Sequence, residues 1–183
     1  MPYDPAAHHR RSIRLKGYDY TQPGAYFLTM VTQGREPLLG EVVGMKMKLS
    51  PSGLIVQRAW FDLPRHYTGI QLDAFCIMPN HVHGIIVLVD GGGGRGGSAE
   101  SIEVEQNSRK TRPYLPEIVR AFKSFSTRRI NVLRNTPGIP VWQRNYYEHI
   151  VRNEAEWERI RMYIRENPGR WKDDRENPQE GQV

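Results

Sequence analysis

His81, Val82 and His83 put two imidazoles two residues apart. On a β-strand, residues i and i+2 project from one face, so both rings point together and Val82 points to the other side, toward a core. Such a pair suits one metal ion or one phosphate. Two solvent-facing or hydrogen-bonded histidines would use the same spacing, and His81–Val82–His83 by itself does not choose. The nucleotide-hydrolase pattern HxHxH fails, because position 85 is Ile85. A second group lies near the end of the chain. Trp157, Ile160 and Ile164 share one helical stripe, with Tyr163 at its margin, and Asn167 stands four residues after Tyr163 on the same face. By spacing alone, Tyr163 reads as an amphipathic packer with its hydroxyl at the surface.

The elements that must hold these residues are written in the hydrophobic pattern. Ala25 to Thr32 has the composition of a buried strand, and Glu41 to Leu49 reads as another, with Gly44 at a turn or bulge. Ser52 to Asp62 reads as a helix whose length Pro64 limits. Ile70 to Ile77 alternates as a strand, Met78-Pro79-Asn80 makes a turn, and His81 to Leu88 continues into a central sheet. Pro116 to Leu133 is a basic amphipathic helix with Ile118, Ala121, Phe122, Phe125 and Ile130 as its stripe. Val141 to Val151 has strand composition. Asn153 caps a last helix that runs to about Glu166, where Asn167-Pro168 ends it. This order predicts an α+β fold, a sheet with helices packed on it. The organisation expected is a basic arm over 1–20, one domain over 21–171 with a flexible glycine-rich insertion at 90–111, and a polar, frayed tail over 172–183.

Composition narrows the partners. In 183 residues, 26 Lys and Arg stand against 20 Asp and Glu, a net charge of +6. Arg109 to Arg134 alone holds eight basic residues and one acid, Glu117. An anionic partner, nucleic acid or an acidic surface, fits this balance. The single cysteine, Cys76, excludes an intramolecular disulfide and a Cys-rich zinc module. No apolar run approaches the roughly 20 residues of a membrane span, and the N-terminus lacks the apolar core of a signal peptide, so a cytoplasmic location without membrane contact is expected.

Three stretches taken together carry a resemblance: RRSIRLKGYDY…GAYFLTMVTQGR, DAFCIMPNHVHGIIV, and WQRNYYEHIVRNEAEWERIRMYIRENP. The chain resembles the single-tyrosine HUH transposases, related to those of IS200-like elements, and more closely their REP-associated tyrosine transposase branch. The resemblance touches most of Arg10 to Pro168. It implies a ferredoxin-like fold, an antiparallel sheet with helices on one face. It implies that His81 and His83 bind a divalent cation, Mg²⁺ or Mn²⁺, that Tyr163 is catalytic, and that Asn167 is a third metal ligand. Related insertion-sequence enzymes commonly carry Gln at that last place, so Asn167 favours the REP-associated branch. The glycine-rich insertion has no counterpart in the pattern.

The reaction so implied is transesterification of single-stranded DNA, with a 5′-phosphotyrosine intermediate. The substrates would be imperfect palindromes that fold into hairpins. The basic segment is the DNA-binding candidate: Arg120, Lys123, Arg128 and Arg129 on the long helix, and Arg10, Arg11, Arg14 and Lys16 in the arm. Tyr114, Tyr146 and Tyr147 could stack on unpaired bases, although core positions suit them equally. Glu148 and His149 read best as structural hydrogen-bonding groups. Two other functions compete: a hairpin-binding regulator without chemistry, and a metal-dependent hydrolase using water as nucleophile. Monomer and homodimer are both compatible with the resemblance.

Overall fold

Two eight-residue runs of apolar and β-branched residues make the centre of the sheet. The structure is a computed structural model and describes residues 19–89 and 114–178. β1 (Gly24–Val31) pairs antiparallel with the strand His81–Leu88, from Gly24 opposite Leu88 to Val31 opposite His81. After β1 come a small hairpin, β2 (Gly40–Val43) and β3 (Lys46–Leu49), then helix α1 (Pro51–Phe61) and a single turn α2 (Leu63–His66). β4 (Ile70–Ile77) leads through a turn into β5 (His81–Leu88). The long helix α3 (Leu115–Arg134), the edge strand β6 (Tyr147–Val151) and α4 (Glu154–Glu166) complete the order.

The strands of the main sheet are arranged β4-β5-β1-β6, every neighbouring pair antiparallel. The units β1-α1-β4 and β5-α3-β6 each return to the sheet with one strand skipped, which is the split βαβ arrangement of a ferredoxin-like fold. The expected α+β architecture is therefore present.

Period two sorts the side chains of the strands. Tyr26, Leu28, Met30, Val82, Ile86 and Leu88 join Trp60 of α1 and Phe122 of α3 in the main core. Ala25, Phe27 and Ile85 face the other way, toward Ile164 of α4. Thus α1 and α3 share one face, as the resemblance implied, and α4 crosses the opposite one. His81 and His83 alternate with Val82 and so point toward α4. Gly84, directly after the histidine pair, has a steric reason. A Cβ there would stand 2.5 Å from Cζ2 of Trp60, which stacks on Phe75 at 4.6 Å between ring centroids.

Local chemistry explains the boundaries. Ser50 Oγ accepts the amide of Gly53 at 3.0 Å, and Pro51 follows at the first helical position. The single strand expected over Glu41 to Leu49 is a hairpin instead. Gly44 and Met45 both take positive φ, 55° and 65°, which is the conformation of a two-residue hairpin turn. The strand expected from Val141 begins only at Tyr147. Gln143 N does reach Val31 O at 2.9 Å, but the chain then leaves the sheet for three residues. Lys123 Nζ of α3 captures the carbonyls of Gln143 and Asn145 at 3.0 and 2.9 Å, which draws this segment off β1.

The tail departs furthest from expectation. It is folded, not frayed, from Lys172 to Pro178. A 3₁₀ turn over Asn167–Asp173 follows α4, and Asp174 and Asn177 are buried. Asn80 Nδ2 donates to Glu176 O at 2.6 Å, and Arg35 pairs with the Glu176 carboxylate at 2.9 Å. These contacts pin the tail against the turn before β5. The arm residues Arg10, Arg11, Arg14 and Lys16 and the 90–111 stretch lie outside the described residues. No helix among the described residues is long and apolar enough to cross a membrane.

Candidate functional site

The turn before β5 sets the chemistry of the first histidine. Met78 N bonds to His81 O at 2.8 Å and closes it. Asn80 Nδ2 donates to the carbonyls of Glu176 and Arg35, at 2.6 and 3.2 Å, which orients the amide and leaves Oδ1 facing His81 Nδ1 at 2.9 Å. An amide oxygen only accepts, so His81 carries its proton on Nδ1 and presents a bare Nε2. That atom stands 3.0 Å from Nε2 of His83. His83 therefore donates from Nε2, and its Nδ1 accepts from the Thr29 hydroxyl at 2.8 Å.

Both rings are 3% exposed or less. Burial pushes the pKa of His81 down to about 3. Burial, with the neighbouring His81, pushes His83 down to about 3 as well, against the opposing charge of Asp174. Both imidazoles are thus neutral near pH 7, the form that ligates metal. The contact between His81 Nε2 and Asp174 Oδ2, at 3.7 Å, is accordingly not an ion pair at that pH.

His81, His83 and Asp174 offer ligand atoms that all lie within 4.8 Å of one another. Three observations test whether a divalent cation fits. Cis ligands around an octahedral ion with bonds of about 2.1 Å stand about 3 Å apart, the separation of the two Nε2 atoms. The Asn167 side chain is buried, and its Oδ1 has no hydrogen-bond partner, although a buried acceptor ordinarily has one. Finally, a cation between the imidazoles would require His83 to hold its proton on Nδ1, and the Thr29 hydroxyl can accept there as readily as it donates. The residues fit.

Tyr163 Oη lies 3.3 Å from His83 Nε2, and its ring packs edge-on against Phe27 at 6.0 Å. Burial and then the charge of Asp174 hold the phenol above its ordinary pKa of 10.0, while a hydrogen bond from the Asn167 side chain works the other way. The phenol is protonated at neutral pH and needs activation. Cys76 sits opposite His83 in the strand pairing, and burial, with Asp174, pushes its thiol up to about 12, so without a cation beside it the thiol is neutral.

The delivery of Tyr163 depends on how α4 is seated. Asn153 Oδ1 accepts the amide of Glu156 at 2.9 Å and starts the helix. The Glu156 carboxylate accepts from Arg152 N at 2.8 Å and bonds to His149 Nε2 at 2.9 Å, joining the helix to β6. His149 thus has the structural role expected of it. On the other side, a register shift in β4 between Leu72 and Phe75 turns Asp73 toward α4. Its carboxylate accepts from Trp157 Nε1 and from Arg161 Nε, the latter at 2.8 Å.

His81, His83, Tyr163 and Asn167, the residues the resemblance names, lie together here. Asp174 joins them from the tail, a segment that the sequence pattern reads as frayed. The α3 cations are elsewhere, on the far face of the sheet. Arg120 and Arg128 are exposed, Arg129 lies over the Phe125 ring at 4.1 Å, and Lys123 is turned inward on backbone carbonyls. Glu148, by contrast, does not have the hydrogen-bonding role expected of it: both its carboxylate oxygens are buried with no hydrogen-bond partner among the described residues.

No family model matches the chain. An uncharacterized protein of Haemophilus influenzae (strain ATCC 51907 / DSM 11121 / KW20 / Rd) is 38% identical over 173 residues, which cover 94% of this chain and 95% of that protein. Among solved structures, the REP-associated tyrosine transposase bound to a REP hairpin matches with a TM-score of 0.54 at 19% identity, over 93% of this chain and 75% of that one. The chain therefore belongs to one family with the Haemophilus influenzae protein and has the fold of the REP-associated tyrosine transposase.

Proposed function

We propose that the chain is a metal-dependent DNA strand transferase of the single-tyrosine kind, which nicks and rejoins single-stranded hairpin DNA. The observation that carries this reading is Tyr163 Oη at 3.3 Å from His83 Nε2, beside two neutral imidazoles whose Nε2 atoms stand 3.0 Å apart. The solved structure of like fold is named as bound to a REP hairpin, which supports the same substrate class here.

His81, His83 and Asp174, with the Asn167 amide oxygen, would hold Mg²⁺ or Mn²⁺, which there would polarise a phosphate oxygen, stabilise the leaving 3′ oxygen and offset the Asp174 charge. Tyr163 Oη is the nucleophile. Its bond to phosphorus forms, the bond from phosphorus to the 3′ oxygen breaks, and the 3′ oxygen leaves as a hydroxyl, taking up in net the proton that the phenol gives up. One phosphodiester replaces another, so rejoining needs no ATP. Phe27 and the seating of α4 hold the phenol beside the imidazoles.

Labelled single-stranded hairpin DNA, incubated with the protein and Mn²⁺, should yield a covalent adduct on a denaturing gel. Tyr163→Phe should abolish it and His81→Ala should reduce it by orders of magnitude. An adduct that persists in Tyr163→Phe overturns the nucleophile assignment. Cleavage that survives in that variant without any adduct would indicate water as nucleophile.

A further inference from the structure

Across the sheet from the histidines, a cavity of about 510 Å³ opens between the start of α3 and the segment that leaves the sheet before β6. That volume is in the range of small-ligand sites. Tyr114, Glu117, Arg120, Lys123, Arg144 and Tyr146 line it. Arg120 and Arg144 are exposed, and neither has an ion pair or hydrogen-bond partner among the described residues. Tyr114 is 40% exposed and makes no ring contact among the described residues. Lys123 holds the far wall by its two carbonyl contacts and lies over the Tyr146 ring at 5.3 Å. Its cation thus stays beneath the cavity with carbonyls, and no carboxylate, as direct partners. Three cations face one acid, Glu117.

Two guanidiniums with no carboxylate partner among the described residues, set beside an exposed phenol ring, match a phosphate and a base plane. An acidic peptide would use the arginines but leave the ring without a function. We infer that this cavity holds one unpaired nucleotide of the DNA strand, its base on Tyr114 and its phosphate between Arg120 and Arg144. The inference rests on the strand-transferase reading for its choice of DNA. The fold also offers a route between the two sites. Tyr146, the last residue before β6, packs against the main core, and Tyr147, the first residue of β6 at the edge of the sheet, meets Phe27 on the other face, which meets Tyr163. A strand passing round that edge would reach both sites, so the cavity would select a nucleotide outside the hairpin stem, in the flank to be cut.

The test measures equilibrium binding of full-length protein, in EDTA and with Tyr163→Phe throughout, so that no chemistry intervenes. One probe is a DNA hairpin with short single-stranded flanks of mixed sequence. The other has the same backbone with abasic flanks. Tyr114→Ala should bind the first probe about tenfold more weakly and the second unchanged. Arg144→Ala should weaken both and reduce the slope of log affinity against log salt by about one unit or slightly less. Equal losses on both probes for Tyr114→Ala, or no loss on either, overturn the nucleotide site. Binding that splits as expected while the Tyr163 protein forms no adduct overturns only the catalytic reading. A protein that binds neither probe overturns both.

Discussion

The two faces of the sheet are held by different physics. On the α1 and α3 face, large apolar side chains close around Trp60, and α3 alone contributes Leu115, Ile118, Val119, Phe122 and Ile130 to the core. On the other face, α4 buries one apolar residue completely, Ile164, with Trp157 and Ile160 partly covered. Its position is set by directional contacts: the Asn153 cap, the His149–Glu156 link and the Asp73 carboxylate. Apolar burial scales with area and tolerates small displacements, whereas hydrogen bonds specify distance and angle. The first face therefore supplies stability, and the second places one phenol against two imidazoles.

Removing the centre of the apolar face should have the largest effect on folding. Trp60 is fully buried, stacked on Phe75 and edge-on to Phe122 at 5.7 Å. Trp60→Ala should cost about 3–5 kcal/mol, read from the denaturant midpoint at unchanged slope. A loss below about 1 kcal/mol would mean that the two faces do not differ as described.

Asp73→Ala should cost less stability and more function. It leaves Trp157 Nε1 and Arg161 Nε without their acceptor, so about 1–3 kcal/mol is expected. The covalent adduct should nevertheless form at least tenfold more slowly in Asp73→Ala, because near-attack geometry is sensitive to shifts of about 1 Å. DNA affinity should be unchanged, and Asp73→Glu should restore part of the rate. A variant that loses stability but keeps its adduct rate would show that apolar packing alone seats α4.

The contrast between the faces also explains what the sequence disclosed. His81 and His83 were legible because strand period two and the preceding Pro79-Asn80 turn are local. Asn153 and the Trp157, Ile160, Ile164 stripe gave α4 for the same reason, and the helix then carried Tyr163 and Asn167 with it. The assignment of chemistry to these residues came from the resemblance, since a tyrosine beside a core stripe is ordinary. Asp174 and Asp73 were not legible. Each acts through a contact with a distant part of the chain: the tail reaching His81, and a bulge in β4 reaching α4. One signal for the tail was available. Trp171 is a large apolar residue in an otherwise polar stretch, and its ring stands 6.1 Å from that of His81. A tryptophan of that kind argues for packing. The break in the strand before Tyr147 was hidden as well, because Lys123 looks like a surface cation in a helical pattern and is in fact bound to backbone carbonyls.

The smallest effect on folding is expected at Asn167, and it sharpens the comparison most. A buried side chain on the apolar face contributes by filling space, but the Asn167 carbonyl oxygen is buried without a partner among the described residues, so its removal relieves an unmet desolvation cost that offsets the lost side-chain hydrogen bond to Tyr163. In EDTA, Asn167→Ala should change stability by less than about 1 kcal/mol. With Mn²⁺ the wild type should gain stability as the ion binds the folded state, and each tenfold loss of affinity in the variant should remove about 1.4 kcal/mol of that gain. Thermal melts with and without Mn²⁺ read both quantities on one sample. An Asn167→Ala protein strongly destabilised in EDTA would place this residue with the packing side chains. One that keeps the full Mn²⁺ shift, while Asp174→Ala loses it, would assign the third ligand to the tail carboxylate. In that case the ion would make no bond to the end of α4, and the Asp73 and His149–Glu156 contacts would hold that phenol in place without it.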